Sequence, residues 1–252
     1  MVTFAELYYS GIVEEFFLQM LKGAFMYFDT YYLILVVPTL LLSLWAQFKV
    51  KSTFSKYSKK ANGKGITGAQ AAAYLLRANN ISDVKLGHIA GSLTDHYDPS
   101  SKVLRLSEPV FDKATIAAVG VAAHETGHAI QHATKYGPLV LRSTLVPIAN
   151  IGSSAGPWLA ILGIIFSWGF LVNIGLLLFG CSVLFYLVTL PVEFNASNRA
   201  VAILSKTGTL TQEELKGVKK VLSAAALTYV ASALTAVANL LRLVLISRDR
   251  RN

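Results

Sequence analysis

The sequence predicts a mainly α membrane protein with about four transmembrane helices and a small α+β region, and three observations predict it. The 252 residues are 54% apolar and only 15% charged, with a mean hydropathy of +0.51, which is poor in charge for a soluble domain. Charge is absent from three long runs, the 19 residues of Thr30–Phe48, the 50 of Ser143–Val192 and the 21 of Val221–Leu241. Crossing ~30 Å of hydrocarbon takes about 20 helical residues, so the longest run holds two spans and a turn. The polar residues gather instead in two stretches, 49–142 and 193–220.

Taken in order, residues 1–23 form an N-terminal segment and 24–48 the first span. Glu6, Glu14 and Glu15 against a single Lys22 are the wrong balance for the basic start of a cleavable signal, so this span is expected to stay in the mature protein. Six lysines follow it, Lys49, Lys51, Lys56, Lys59, Lys60 and Lys64. Such a cluster marks the cytoplasmic side and draws anionic lipid at ~1 kcal/mol per residue, which accounts for the net charge of +9 without a nucleic-acid partner. No Gly-rich phosphate loop ending in Lys-Ser/Thr is present.

The stretch 49–142 is thereby expected inside. Its "GITGAQAAAYLLRANN" reads as a helix capped by Thr67, and "VKLGHI", "SLTDHYD" and "KVLRLS" read as short strands, the last two joined by a turn at Asp98-Pro99-Ser100-Ser101. A second helix follows at Val119–His132. Residues 143–192 form a transmembrane hairpin that turns near Ser167-Trp168-Gly169, because Trp favours the interface, with Gly156-Pro157 a kink in its first arm. The hairpin returns the chain to the same face, where the net-basic segment 193–220 begins. Residues 221–252 make a fourth helix and tail; Arg248, Arg250 and Arg251 would lie outside if it spans, so a helix resting against the bundle stays open as an alternative. The single cysteine, Cys181, excludes an intrachain disulfide and reads as a packing residue of the third span.

The chemistry sits in "VGVAAHETGHAIQH". On a helix His124 and His128 project from one face a turn apart, which suits two ligands of one ion, and Glu125 lies about 100° round from His124. In H-E-x-x-H the histidines hold zinc through neutral imidazoles, and the glutamate takes a proton from a water that the metal has made acidic. The pattern arises by accident in roughly one chain of this length in a hundred or fewer.

Catalytic zinc needs a third protein ligand. His132 is displaced from His124 by about 12 Å of helical rise, too far to share an ion. The metzincin pattern fails, since Gln131 and Thr134 stand where its glycine and third histidine belong. Glu193 is the better candidate: a carboxylate directly after a span sits at the same membrane boundary as the H-E-x-x-H helix. Its plainer reading is an interfacial residue that stops the span.

"EFNAS" resembles the Glu-x-x-Ala-Asp motif of gluzincin membrane proteases such as HtpX and the CaaX prenyl protease. Glu193 and Ala196 match, while Ser197 stands where that group has the Asp that orients a zinc-bound histidine. Together "LTDHYDPSSKVLRLSEPVF", "VAAHETGHAIQHA", "TLPVEFNASNRA" and "AAALTYVASALTA" resemble the YugP-type family of neutral zinc metallopeptidases of bacteria, from about Tyr31 to Leu245, and that family also carries the serine. The resemblance implies a multi-pass membrane zinc peptidase with a zincin-like cytoplasmic catalytic region, its substrates poorly defined.

The expected function is therefore a metalloendopeptidase of the cell membrane in which His124, His128 and Glu193 bind Zn2+ and Glu125 is the base, acting on protein or peptide substrates at the bilayer, with membrane-protein quality control as a setting by analogy. Arg199 and Tyr229 are possible oxyanion donors. His88 and His96 read as structural residues of strands, and Asn195 and Asn198 as helix-surface or loop residues. Two other functions compete. A site-2-type intramembrane protease would make Ala114–Thr134 a span, but it needs an aspartate from a later span and 143–192 has none. A non-catalytic metal-binding transporter or scaffold would not need Glu125, and transport would put ionisable residues at mid-membrane.

Overall fold

A computed structural model describes residues 29–249. The segment 1–23, the first residues of the expected first span, and Arg250 and Arg251 lie outside the described residues.

A π-helical turn at Tyr32–Val36 leads directly into α1, Val37–Ser58. Helix α2, Gly68–Ala78, begins at a capping box: the Gln70 N–H donates to Thr67 Oγ1 at 3.2 Å and the Thr67 N–H to Gln70 Oε1 at 2.9 Å. Strands β1 (Lys85–Ile89), β2 (His96–Asp98) and β3 (Val103–Ser107) make one sheet in the order β1-β3-β2, with β3 parallel to β1 and antiparallel to β2. The short α3, Glu108–Phe111, precedes α4, Ile116–Ala133. Then come α5 (Gly137–Ile165), α6 (Gly169–Lys206) and α7 (Gln212–Asp249). Helix α1 with its π turn, α5, α6 and α7 are long and apolar enough to cross a membrane.

These helices outrun the charge-free runs that announce them. Helix α1 continues through Lys49, Lys51 and Lys56, α6 passes through Pro191 and Glu193 to Lys206, and α7 starts at Gln212. Backbone hydrogen bonds carry a helix on after its side chains turn polar, so hydropathy locates the lipid-facing stretch and not the helix ends. The stretch 193–220 is thus the end of α6 and the start of α7 around a turn. Helices α5 and α6 part at residues 166–168, where Ser167 adopts φ 59°. Strand β2 is shorter than "SLTDHYD" suggests: Gly91 (φ 102°) and Leu93 (φ 61°) turn the chain out of the extended region, and the Asp95 carboxylate accepts from the Ser107 N–H (2.7 Å) instead of its segment joining the ladder.

The chain forms two compact units. Among the described residues, the first comprises 29–42, Leu145–Phe185 and 233–249. Small residues let its helices approach: a Cβ on Gly156 would lie 2.8 Å from the Phe179 nitrogen. Its buried Arg242 pairs with Asp29 (Nη2 to Oδ2, 2.7 Å), so this charge is answered.

The second unit, Ser43–Thr144 and Tyr186–Ser232, has the larger core. Leu104 and Leu106 of β3, Leu75 and Leu76 of α2 and Leu204 of α6 meet α4, whose alanines and glycines allow burial on nearly every side. Helix α4 is not among the described helices apolar enough to cross a membrane, because His, Glu and Gln punctuate it. It is the central helix of a folded unit.

Candidate metal centre

Helix α4 starts where the Thr115 hydroxyl accepts from the Ala118 N–H at 3.2 Å, and it turns away after Ala133, with Lys135 at φ 50°. Between these ends His124 and His128 stack one turn apart, ring centroids 4.8 Å apart and nearly perpendicular at 87°. Helix α6 presents Glu193 and Ser197, also four residues apart. The two helices can face each other at this level because Gly127 lies against the backbone of Ala196.

Glu193 is 2% exposed, and its Oε2 lies 3.3 Å from His124 Nε2 and 3.4 Å from His128 Nε2. Its other oxygen, Oε1, accepts from Arg142 Nη1 at 3.2 Å. Oε2 itself is buried and makes no hydrogen bond. Leaving a buried carboxylate oxygen unmatched is costly, so either a protonated imidazole or a cation held between the three atoms has to answer it. Zinc fits: with bonds of ~2.05 Å to N and O, the edge of its coordination tetrahedron is ~3.3 Å, the spacing of Oε2 from each imidazole nitrogen. The three ligand atoms lie within 4.8 Å of one another, and two neutral imidazoles with one carboxylate are the donor set that zinc takes.

The outer nitrogens of both rings are held. His124 Nδ1 faces Ser197 Oγ at 3.1 Å, and His128 Nδ1 faces Gln131 Oε1 at 2.9 Å. The Gln131 amide nitrogen donates to the Val192 carbonyl (2.8 Å) and to Asn195 Oδ1 (3.0 Å), which turns its oxygen towards His128. His128 Nδ1 must then carry the proton and donate, leaving the Nε2 lone pair for an ion. Burial disfavours a charged His128, but Glu193 and Glu125 outweigh it, and its pKa stands above the ordinary imidazole value. A site that attracts a proton in this way attracts a metal cation by the same charges.

Glu125 is 7% exposed and shares with His124 the wall of a cavity of about 230 Å³. Phe54, Val121, Val221 and Leu222 make that cavity apolar, and Tyr229 reaches its edge. The structure thus brings together His124, His128, Glu193 and Ser197, with Glu125 and Tyr229 beside them. It does not bring in the rest. His132 Nδ1 bonds to the Tyr97 hydroxyl at 2.8 Å, His88 packs edge-on to Phe111, and His96 Nδ1 lies 2.9 Å from the Thr94 carbonyl. Arg199 donates to Asn195 Oδ1 at 2.7 Å and lies over the Tyr136 ring, so it braces Asn195. Asn195 is accordingly a link between the two ligand helices and not a plain surface residue.

Arg142 and Gln131 escaped sequence reasoning. Arg142 is the last charge before the 50-residue run and reads as a flank of a span. Gln131 carries a usable signal, since three residues after His128 puts it on the neighbouring turn of the same face.

A family model described as "Putative neutral zinc metallopeptidase" matches residues 32–248. A curated relative from Bacillus subtilis (strain 168), "Putative membrane protease YugP", is 48% identical over 221 residues, 88% of this chain and 98% of the relative. No solved structure matches.

Proposed function

The chain belongs to the family described as putative neutral zinc metallopeptidases, and on that premise we propose that it is a membrane endopeptidase in which His124, His128 and Glu193 hold zinc and Glu125 is the general base. The observation that carries the reading is the orphaned Glu193 Oε2, buried and equidistant from two imidazole nitrogens. Zinc would supply Lewis acidity at the junction of those three atoms, acidifying water and polarising a peptide carbonyl.

Each step on the protein side follows from placement. Ser197 and Gln131 hold the two rings so that both Nε2 atoms point inward. Arg142 neutralises Glu193 on its outer oxygen and keeps the carboxylate in register. Glu125, off the ligand face and on the cavity wall, takes a proton from the attacking water and passes it to the leaving amine. Tyr229, at the same wall, is the nearer of the two oxyanion-donor candidates, since Arg199 is committed to Asn195.

The cavity beside Glu125 is smaller than ordinary ligand pockets of ~300 Å³ or more, and its apolar wall suits one side chain of a substrate. Unfolded membrane-associated chains present such side chains, and this supports a role in membrane-protein quality control. The lysines that follow the first span support a cytoplasmic catalytic unit. The burial of α4 in the core of that unit speaks against a site-2-type protease. The deciding experiment is metal analysis of the purified protein together with cleavage of an unfolded membrane protein. One equivalent of zinc and chelator-sensitive cleavage are expected; bound zinc with no cleavage would favour a metal-binding protein without catalysis.

A further inference from the structure

A second cavity in the second unit, of about 700 Å³, is separate from the metal centre and is basic. Lys49 and Lys56 of α1 and Lys219 and Lys220 of α7 line it, together with Ser52 and Ser223 and with no carboxylate in the wall. None of these four ammonium groups forms an ion pair among the described residues. The Glu213 carboxylate on α7 is engaged by Lys216 at 2.9 Å. Helical spacing makes the arrangement a face and not a scatter: Lys49, Ser52 and Lys56 recur at i, i+3 and i+7, and Lys220 and Ser223 at i and i+3. Two segments some 165 residues apart in the chain (roughly, by the numbering) therefore assemble one site of a single sign at the cost of their mutual repulsion.

We propose that this cavity binds the phosphate of an anionic phospholipid headgroup. Four ammonium groups and the Ser223 hydroxyl match the charge and the acceptor oxygens of a phosphodiester, while the Ser52 hydroxyl is spent on the Lys49 carbonyl at 3.1 Å. The lipid origin follows from what lies next to it. Trp45, one turn before Lys49 on the same face of α1, is 49% exposed, and Phe48 beside it is 71% exposed. Exposed aromatic side chains leading into a lysine cluster are the arrangement of a helix leaving a bilayer, apolar surface against acyl chains and cations at headgroup level. On α7 the cavity likewise ends on the apolar Leu227. A free phosphate would have no use for that apolar end.

The test is native mass spectrometry of the full-length protein, released from detergent micelles holding equal amounts of phosphatidylglycerol and phosphatidylcholine. Retention of phosphatidylglycerol over phosphatidylcholine is expected, falling on the order of 10-fold in the double variant Lys56→Gln with Lys220→Gln. The double variant Lys51→Gln with Lys59→Gln removes the same charge outside the cavity and should retain the lipid as the native protein does. Arginine at positions 56 and 220 should also retain it, which excludes misfolding as the cause. Equal loss in both glutamine pairs would reduce the effect to diffuse surface charge and overturn the site. Absence of headgroup preference in the native protein would overturn it too. Displacement of the lipid by an equal concentration of inorganic phosphate would show a free-anion site and overturn the lipid assignment.

Discussion

A Cβ placed on Gly127 would lie 2.7 Å from the Ala196 carbonyl oxygen and 3.2 Å from the Ala196 Cα. Both are backbone atoms, which cannot rotate aside. The glycine of H-E-T-G-H and the alanine of E-F-N-A-S are thus the two sides of one helix crossing, and that crossing sets Glu193 over the two histidines. Gly127→Ala should force the helices apart, costing ~1–3 kcal/mol of stability and weakening zinc binding. Gly120→Ala should be milder, because its Cβ would meet only side-chain atoms of Val218, the nearest being Cγ1 at 3.1 Å. Thermal unfolding with and without zinc separates the two; equal effects would deny Gly127 its part in positioning the metal site.

Glu193→Ala removes the single negative ligand and should lower zinc affinity more than any substitution outside the ligand set. His132→Ala should leave zinc in place, since that ring is bonded to Tyr97. Zinc stoichiometry after dialysis against a weak chelator checks both, and full occupancy in Glu193→Ala would sink the three-ligand site.

Gln131→Leu keeps the volume at a fully buried position but leaves the His128 Nδ1 proton without its acceptor. Zinc affinity should fall ~10–100-fold, and Ser197→Ala should cost ~10-fold, with helical content unchanged in both. Zinc competition titrations supply the measurement. An unchanged affinity in Gln131→Leu would make that residue a packing group only.

Glu125→Gln keeps the shape of the cavity wall but cannot take a proton. Zinc should remain near one equivalent while cleavage falls by a factor on the order of 10² or more. Cleavage at the native rate would remove Glu125 from the mechanism.

Ser55 and Ser205 are exposed residues of the second unit, on α1 and α6. With Cys181 replaced, single cysteines at either position should resist an impermeant thiol reagent in intact cells and react after lysis. Labelling of one in intact cells would contradict a catalytic unit held on the cytoplasmic side.

The sequence by itself determined the features that rest on local spacing and composition. Lipid is uniformly apolar, so runs such as Ser143–Val192 declare themselves by composition, and the i, i+4 pair His124 and His128 shares a face on any helix. Thr67 announced the start of α2 as its N-cap for the same reason, and the structure adds Gln70 as the residue that closes a capping box with it. Glu193 was legible only as a carboxylate at a boundary, supported by a family likeness, because nothing local says which helix it meets. The tertiary structure decided that it crosses α4 at Gly127, that Gln131 turns its oxygen to His128 because Val192 and Asn195 claim its nitrogen, and that Arg142 holds the far side of the carboxylate. It also decided that Lys219 and Lys220 join Lys49 and Lys56 around one cavity. Each of these joins residues more than 50 positions apart, apart from the Gln131–His128 bond that two such contacts orient. Their meeting depends on how closely whole helices can pack, and close packing is a property of the assembled interior that no window of sequence contains.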